Sequence, residues 1–183
     1  MIGPGFGAVL DAARDGDERA FTVLWHDLNP ALLRYLRVLA PASAEDTTAE
    51  VWVDVCRGLG RFRGPEPSFR AWVFTVARMR AVDAGRQAAR RPARPIPPEL
   101  LPDRPAPDDP AEAAVEAQAT QDALALIATL PPAQAEVIVL RVIAGLDAVQ
   151  VAEIVGKRPG AVRVLAHRGL RRLAQHLAER TGV

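Results

Sequence analysis

The sequence lacks the residues from which a disulfide framework, a cysteine-based zinc site or a membrane span is built. Cys56 is the only cysteine among 183 residues, and His26, His167 and His176 are scattered without the spacing of metal ligands. No uninterrupted apolar run approaches the roughly 20 residues that cross a bilayer, and acids near the N-terminus replace the apolar core of a signal peptide. We therefore expect a soluble, cytoplasmic protein without membrane insertion, metal or cofactor.

An excess of charge is also lacking over the whole chain, although not over its C-terminal part. The sequence has 23 Lys and Arg against 22 Asp and Glu, a net charge of +1, so bulk charge does not indicate a nucleic-acid partner. Residues 154–178, however, contain six basic residues and no acid. Basic helix faces are often only solvated, because arginine stems also cover apolar surface. The local excess indicates DNA binding only together with a motif.

Proline divides the chain into two blocks. Eight of the sixteen prolines lie between Pro92 and Pro110, and proline at this density favours an extended, semi-rigid spacer over a helix. The block before the proline-rich segment shows no sustained period-two alternation of strands, and both blocks show helical patterns. We predict an all-α protein of two small helical domains, residues 1–90 and 120–183, joined by an acidic linker over residues 91–119. The linker is either a plain solvated spacer or an acidic strap that enters a basic channel of a partner.

Capping signals divide the first block into helices. Asp17 can cap one helix, and Pro30 is expected to open the next, because proline suits the first helical position. Ser43, with Asp46 three residues later, resembles a capping box, which would open a further helix that ends near Leu59.

Three carboxylates, which we call the acidic stripe, follow one face of the helix after Ser43. Asp46, Glu50 and Asp54 recur every four residues, and like charges at this spacing repel one another and cost helix stability. An ordinary solvated surface explains that cost as well as an external basic partner does. Carboxylates on one continuous helix face do not converge on an ion, so the stripe predicts neither a metal site nor a catalytic site.

The next predicted helix, from Ser68 to about Arg90, interleaves arginines with aromatics. Its buried face is expected to hold the residues Phe69, Trp72, Val73, Val76 and Met79. Its opposite face is expected to hold the residues Arg70, Phe74, Arg78, Arg86 and Arg90. Single-stranded nucleic acid needs cations for its backbone and flat surfaces for unstacked bases, and this opposite face offers both.

The second block ends in a helix-turn-helix pattern. An apolar-periodic segment from Ala148 to Val155 stops at Gly156, and Pro159 suits the first position of a second helix. The packing side of that helix is expected to hold Val162, Leu165, Ala166, Gly169, Leu170 and Leu173. Its basic face, the proposed contact with a major groove, consists of Arg158, Arg163, His167, Arg168, Arg171 and Arg172.

Two signatures in the right order resemble one known family. Residues 69–83, preceded by Arg61-Phe-Arg-Gly64 and by the acidic stripe, resemble domain two of bacterial sigma factors of the extracytoplasmic-function (ECF) group. Residues 130–141 and the helix-turn-helix to Leu173 resemble their domain four. Met79 stands where members commonly have Asn, and Thr47-Thr48 also departs from the common pattern of the docking helix.

The resemblance implies promoter recognition together with bacterial RNA polymerase, and no enzymatic activity. It gives the acidic stripe a basic partner on the clamp helices of the largest polymerase subunit, and it assigns the minus-thirty-five element to the basic face. Reading and melting of the minus-ten element fall to a melting set made of Arg61, Phe62, Arg63, Trp72, Phe74, Arg78 and Arg86. The implied partners are core RNA polymerase and promoter DNA, with an anti-sigma factor as a further candidate.

Two other classes of protein compete with this hypothesis. A stand-alone helix-turn-helix transcriptional regulator would bind DNA as a dimer, but the sequence has no obvious dimerisation heptad. It would also leave the acidic stripe and the helix rich in arginines and aromatics unexplained. A nuclease would need a metal on the acidic stripe, whose carboxylates do not converge on one point.

Overall fold

In the computed structural model, which describes residues 1–90 and 110–181, the regular structure is helical throughout. The prediction of an all-α protein is confirmed over these residues. The eight α-helices are α1 (Phe6–Arg14), α2 (Glu18–Leu39), α3 (Ala44–Leu59), α4 (Glu66–Arg90), α5 (Pro110–Ala128), α6 (Pro132–Ile138), α7 (Ala148–Val155) and α8 (Pro159–Thr181). Short 3₁₀ turns precede α1 and α3, and a π-helical segment, Val139–Ile143, follows α6.

The expected linker falls largely outside the described residues. Residues 91–109 are not among them, so the choice between a spacer and a strap stays a prediction. Helix α5 begins at Pro110, so residues 110–119 of the expected linker are helical. Among the described helices, none has the length and apolar character needed to cross a membrane.

Helix α2 runs through Pro30, so the prediction that Pro30 opens a new helix is wrong. Asp17 caps α2 as expected, because its carboxylate accepts hydrogen bonds from the backbone N–H groups of Arg19 (2.8 Å) and Ala20 (3.2 Å). Proline inside a helix costs about 3 kcal/mol. Large side chains on both sides of it, among them Leu28 and Leu32, are buried, and their packing offsets that cost.

The predicted capping box at the start of α3 is also wrong. Helix α3 begins at Ala44, but the Ser43 side chain makes no capping hydrogen bond to the backbone. Its hydroxyl oxygen instead accepts a hydrogen bond from the Thr47 hydroxyl at 3.2 Å. A 3₁₀ turn that begins at Pro41 leads directly into α3, so the entry differs from that of a simple cap. The helix ends at Leu59, as expected.

One hydrophobic core joins the two blocks. Tyr35 of α2 and Phe74 of α4 belong to the same buried cluster as Ile138 of α6 and Leu140 of the π-helical segment. Helix α2 contacts α5 and α6, and α4 contacts α7. The cluster therefore combines residues of the first block with residues of the second. The blocks are therefore packed against each other in this arrangement.

The helix-turn-helix forms with the boundaries that its glycine and proline predicted. Gly156 takes a left-handed conformation with φ of 65°, which ends α7, and Pro159 begins α8. A capping box that the sequence reading missed opens α7. The Asp147 carboxylate accepts from the N–H of Gln150 at 2.9 Å, and the Gln150 side chain accepts from the N–H of Asp147 at 2.9 Å.

Helix α8 lies very close to α6 at Gly169. A Cβ added there would be 2.5 Å from the Cδ1 atom of Ile138, closer than real side chains approach. Val162, two turns earlier on α8, is fully buried. Leu170, which we expected on this packing side, is instead 50% exposed. It directly follows Gly169, and successive residues of a helix point in different directions, so its side chain turns away from α6.

Candidate functional site

The basic face of α8 lies on the surface, with all six of its side chains exposed. Arg172 donates a hydrogen bond of 3.4 Å to the Gln134 side chain. For the side chains of the other five residues, no ion pair or hydrogen bond occurs within the described ranges. A row of charged side chains without internal partners can turn to phosphates or base edges without first giving up a contact. The role of each residue stays a prediction.

Helix α4 does not have the two faces that the spacing predicted. Phe74 is fully buried, and its ring meets that of Tyr35 edge-on with centroids 5.5 Å apart. Arg70 is buried as well, whereas Met79 is 57% exposed. The expectation of an exposed Phe74 and Arg70 and a buried Met79 is therefore wrong. The second block covers part of α4 that the isolated pattern assigns to solvent.

Aromatic rings from the loop and from α4 form a cluster next to exposed arginines. Phe62 stacks on Trp72, with centroids 5.2 Å apart and planes inclined by 22°, and the buried Phe69 contacts both rings. Phe62 and Trp72 are both half-buried, and the side chains of Arg61 and Arg63 beside them are exposed. The structure thus brings four members of the melting set together at one surface.

Arg78 lies apart from that cluster and holds the two blocks together. Its Nε donates to the Glu136 carboxylate of α6 at 2.8 Å, and the Tyr35 hydroxyl donates to the same oxygen at 3.2 Å. Burial raises the pKa of the Tyr35 phenol well above its usual value, and the nearby Glu136 charge raises it further. In this arrangement Arg78 is occupied by an internal acid.

A second contact between the blocks centres on Arg70, which the sequence reading placed at the surface. Its guanidinium forms an ion pair with Asp27 of α2 at 2.5 Å and donates to the backbone carbonyl of Ala144 at 3.4 Å. Nearby, the Gln150 side chain of α7 donates to the carbonyl of Pro67 at 2.9 Å. The contacts of Arg70 with Ala144 and of Gln150 with Pro67 link residues 74 and 83 positions apart, so sequence spacing carries no signal for them.

The acidic stripe has an internal partner that the sequence reading did not identify. Arg80 of α4 donates from Nε to the Asp54 carboxylate at 2.6 Å and from Nη1 to Glu50 at 3.2 Å. The hydrogen bond to Asp54 raises the pKa of the Arg80 guanidinium above its usual value. Asp46, in contrast, is exposed, and the described residues offer it no ion pair or hydrogen bond.

The remaining charged candidates form only a surface pair. Arg86, the last member of the melting set, is exposed and lies 3.4 Å from the Asp83 carboxylate one turn earlier. Across the described ranges, no group of three or more histidine, cysteine, aspartate or glutamate side chains is placed to hold a metal ion. Cys56 is a free, exposed thiol.

Two protein families match separate parts of the chain, in the order that the two signatures predicted. Residues 24–91 match the family described as sigma-70 region 2. Residues 120–173 match the family described as sigma-70 region 4. The first range contains the acidic stripe and all of α4, and the second contains α6, α7 and the basic face of α8.

Individual proteins resemble this chain over nearly its full length. It is 38% identical over 178 residues to the ECF RNA polymerase sigma factor ShbA of Streptomyces griseus, covering 91% of this chain and 92% of that protein. It is 34% identical over 184 residues to the ECF RNA polymerase sigma factor SigD of Mycobacterium tuberculosis, covering 97% and 86%. The structure of CnrH in complex with the cytosolic domain of CnrY shares the fold, with a TM-score of 0.64 at 22% identity over 94% of this chain and 96% of that chain.

Proposed function

The chain belongs to the ECF group of RNA polymerase sigma factors, and from this membership we propose how its surfaces divide the work of transcription initiation. A sigma factor directs RNA polymerase to promoters. The observation that carries the assignment is the presence of both sigma regions, in order, in one chain. We propose that the protein acts in the bacterial cytoplasm, where its polymerase works, and that it performs no catalysis itself.

Each of the three surfaces takes one task in this proposal. The acidic stripe docks on a basic surface of core polymerase, the basic face of α8 reads the upstream promoter element, and the melting set engages the opened strand. In the proposed division, residues 1–90 carry both the docking and the melting surfaces, residues 91–119 are the linker, and residues 120–183 carry the basic face. An anti-sigma factor is a further partner that we propose from family membership.

Within the melting set, the structure supports different roles for different residues. Arg61, Phe62, Arg63 and Trp72 combine exposed cations with half-buried rings, the combination that unstacked bases need. Phe74 lies in the core, so we propose that it supports this surface from beneath and does not itself contact a base. Arg78 can reach DNA only after it leaves Glu136.

The ion pairs of the α4 arginines suggest why the protein needs polymerase to open DNA. Opening duplex DNA costs about 1.4 kcal/mol per base-pair step, so bound bases must compensate for that cost. Acids of the N-terminal block and of α6 already engage Arg70, Arg78 and Arg80 of α4, so these three cations are not free for DNA in the isolated protein. Polymerase would hold both DNA-reading surfaces at one promoter and so raise their effective concentration.

Promoter-directed run-off transcription with purified core polymerase tests the function. We expect the protein to support initiation at a subset of promoters from a genomic library, and to co-purify with core polymerase. Failure in both assays would overturn the assignment of this activity. Dimeric footprints on DNA without polymerase would instead favour a stand-alone regulator.

The docking role of the acidic stripe is tested by Asp46→Asn, because Asp46 has no internal partner among the described residues and its loss breaks no ion pair. We expect weaker association with core polymerase and an unchanged fold. Glu153→Gln is the matched control, since Glu153 is exposed on α7, away from the stripe. Equal affinity of both variants for core polymerase would show that the stripe is an ordinary solvated surface without a docking role.

A further inference from the structure

Arg80 is placed between the two functional helices of the first block. It belongs to α4, which carries part of the melting set, but its guanidinium lies on α3 against the acidic stripe. The distances are 2.6 Å from Nε and 2.5 Å from Nη2 to Asp54, and 3.2 Å from Nη1 to Glu50. The Arg80 side chain is 33% exposed, so this contact is at the surface and open to exchange.

The three acids of the stripe consequently differ in how available they are. The Asp54 side chain is 23% exposed, accepts two close contacts from Arg80, and lies 3.6 Å from Arg57. Glu50 is 61% exposed and has the single, longer contact. Asp46 is exposed without a partner in the described part of the chain. A basic partner therefore meets one free carboxylate, one half-engaged carboxylate and one that is already neutralised.

The shape of the surface brings the partner and Arg80 to the same place. A groove of about 520 Å³ lies between α3 and α4, and Asp46, Glu50 and Arg80 all line it. A cationic side chain that enters this groove to reach Glu50 also meets the Arg80 guanidinium, which carries the same charge. It must displace Arg80 or share the carboxylate with it.

We propose that Arg80 is an internal competitor for the basic polymerase surface that docks on the acidic stripe, and that it thereby limits how tightly the protein holds core polymerase. This inference rests on the proposed docking role of the stripe. Arg80 would then lower the affinity for core polymerase by holding carboxylates that the basic surface of the partner would otherwise bind. It also predicts the unusual result that removing a side chain of the docking region strengthens binding.

The test measures the affinity of the full-length chain for core polymerase, without DNA, at several salt concentrations. Arg80→Gln should bind about two- to fivefold more tightly at low salt, the range expected for a surface ion pair. The gain should shrink as salt rises, because screening weakens exposed charges. Arg80→Lys keeps the competing charge and should stay closer to wild type.

The matched control is Arg37→Gln, which makes the same change in net charge. Arg37 pairs with Glu45 at 3.0 Å, on α3 but outside the stripe, so its loss should leave the affinity unchanged. Thermal unfolding of each variant shows whether α3 and α4 stay packed. If glutamine lowers the unfolding midpoint, Arg80→Met replaces it, because methionine keeps an apolar stem over α3.

The outcomes separate this inference from the proposed function. Wild-type protein that does not bind core polymerase would remove the proposed function, and the inference with it. Binding that Asp46→Asn weakens but Arg80→Gln fails to strengthen, with the fold intact, would overturn the inference alone. An equal gain for Arg80→Gln and Arg37→Gln would overturn it too, since net charge would then explain the effect.

Discussion

The arginines of α4 and the arginines of α8 differ in what they contact. Along α4, four arginines each lie within 4 Å of an acid of the same chain, and they are Arg70, Arg78, Arg80 and Arg86. Along α8, the described chain provides no acid partner for any residue of the basic face. One cationic surface is thus engaged before DNA arrives, and the other is not.

The basic face of α8 is ready to bind DNA, whereas the paired arginines of α4 become available only after they leave their acids. The basic face of α8 can approach a duplex without breaking an ion pair, so its affinity should follow the usual counterion-release behaviour. A cation of α4 must first leave its acid, which at the surface costs about 0–1 kcal/mol. Arg70 is buried, so its exchange would cost more, and we assign it to the fold alone.

The largest expected effect is on stability, and it compares a buried position of α4, Phe74, with an exposed position of α8. Phe74→Ala should lower the free energy of unfolding by about 3–5 kcal/mol, because it empties a fully buried position. Arg163→Ala, at an exposed position of α8, should change it by no more than about 0.5 kcal/mol. Urea unfolding monitored by helicity measures both. Near-wild-type stability of Phe74→Ala would show that the ring is available to a base after all.

The second effect concerns sequence reading by α8. Arg163 lies near the start of the helix, from which base-edge contacts chiefly come in helix-turn-helix docking. Arg163→Ala should cost about 1–3 kcal/mol of binding to the cognate upstream element and relax the preference at one or two positions. Competition binding with cognate and scrambled duplexes measures this. Retained discrimination would place the reading residue elsewhere on the basic face.

A smaller effect is expected two turns further along the same helix. Arg171 should contact the phosphate backbone, so Arg171→Ala should weaken cognate and scrambled duplexes alike. The slope of log affinity against log salt should flatten by roughly one unit. Binding titrations at four or more salt concentrations give the slope. A loss confined to the cognate duplex would contradict the backbone assignment.

The smallest effect concerns the contact of Tyr35 and Arg78 with Glu136. Burial and Glu136 raise the pKa of the folded Tyr35 above its usual value near 10, so the folded state keeps the phenol protonated. This stabilisation is complete below the unfolded pKa and is lost as the pH rises through the folded one. Tyr35 is the only tyrosine in the sequence, so absorbance at 295 nm reports its ionisation alone among tyrosines.

Glu136→Gln keeps the shape of the acceptor but removes its charge. The phenol should then ionise at a lower pH than in wild type, because one cause of the raised pKa is gone. The chemically similar change Glu153→Gln, at an exposed position of α7, should leave the titration curve in place. Identical curves for all three proteins would mean that the two blocks are not joined at Glu136 in solution.

Local signals predicted the parts of the fold that local chemistry controls. Gly156 and Pro159 marked the turn of the helix-turn-helix because their backbone preferences act on single residues. Asp17 likewise capped α2 through its own side chain. The basic face of α8 was predicted as exposed for a related reason, since its five guanidinium groups cannot be buried without partners.

Long-range contacts explain the errors. Arg70 is buried between Asp27 of α2 and Ala144 of the second block, and Phe74 packs against Tyr35 of α2 in the core that both blocks share. No periodicity within α4 encodes these distant neighbours. Pro30 stayed inside α2 because packing offset the lost hydrogen bond. Arg80 was placed on the correct helix, but its contact with the acidic stripe depends on how α3 and α4 cross.

Gly169 has a consequence for anyone who redesigns this protein for stability. A helix-propensity rule recommends alanine in place of a mid-helix glycine, for a gain of about 1 kcal/mol. Here the added methyl group would overlap Ile138, 2.5 Å away, and either that side chain or the whole helix would have to shift. Because α8 carries five of the six residues of the basic face, all but Arg158, such a shift would re-aim those five together. A design program should therefore hold Gly169 fixed, even though it lies on no DNA-facing surface.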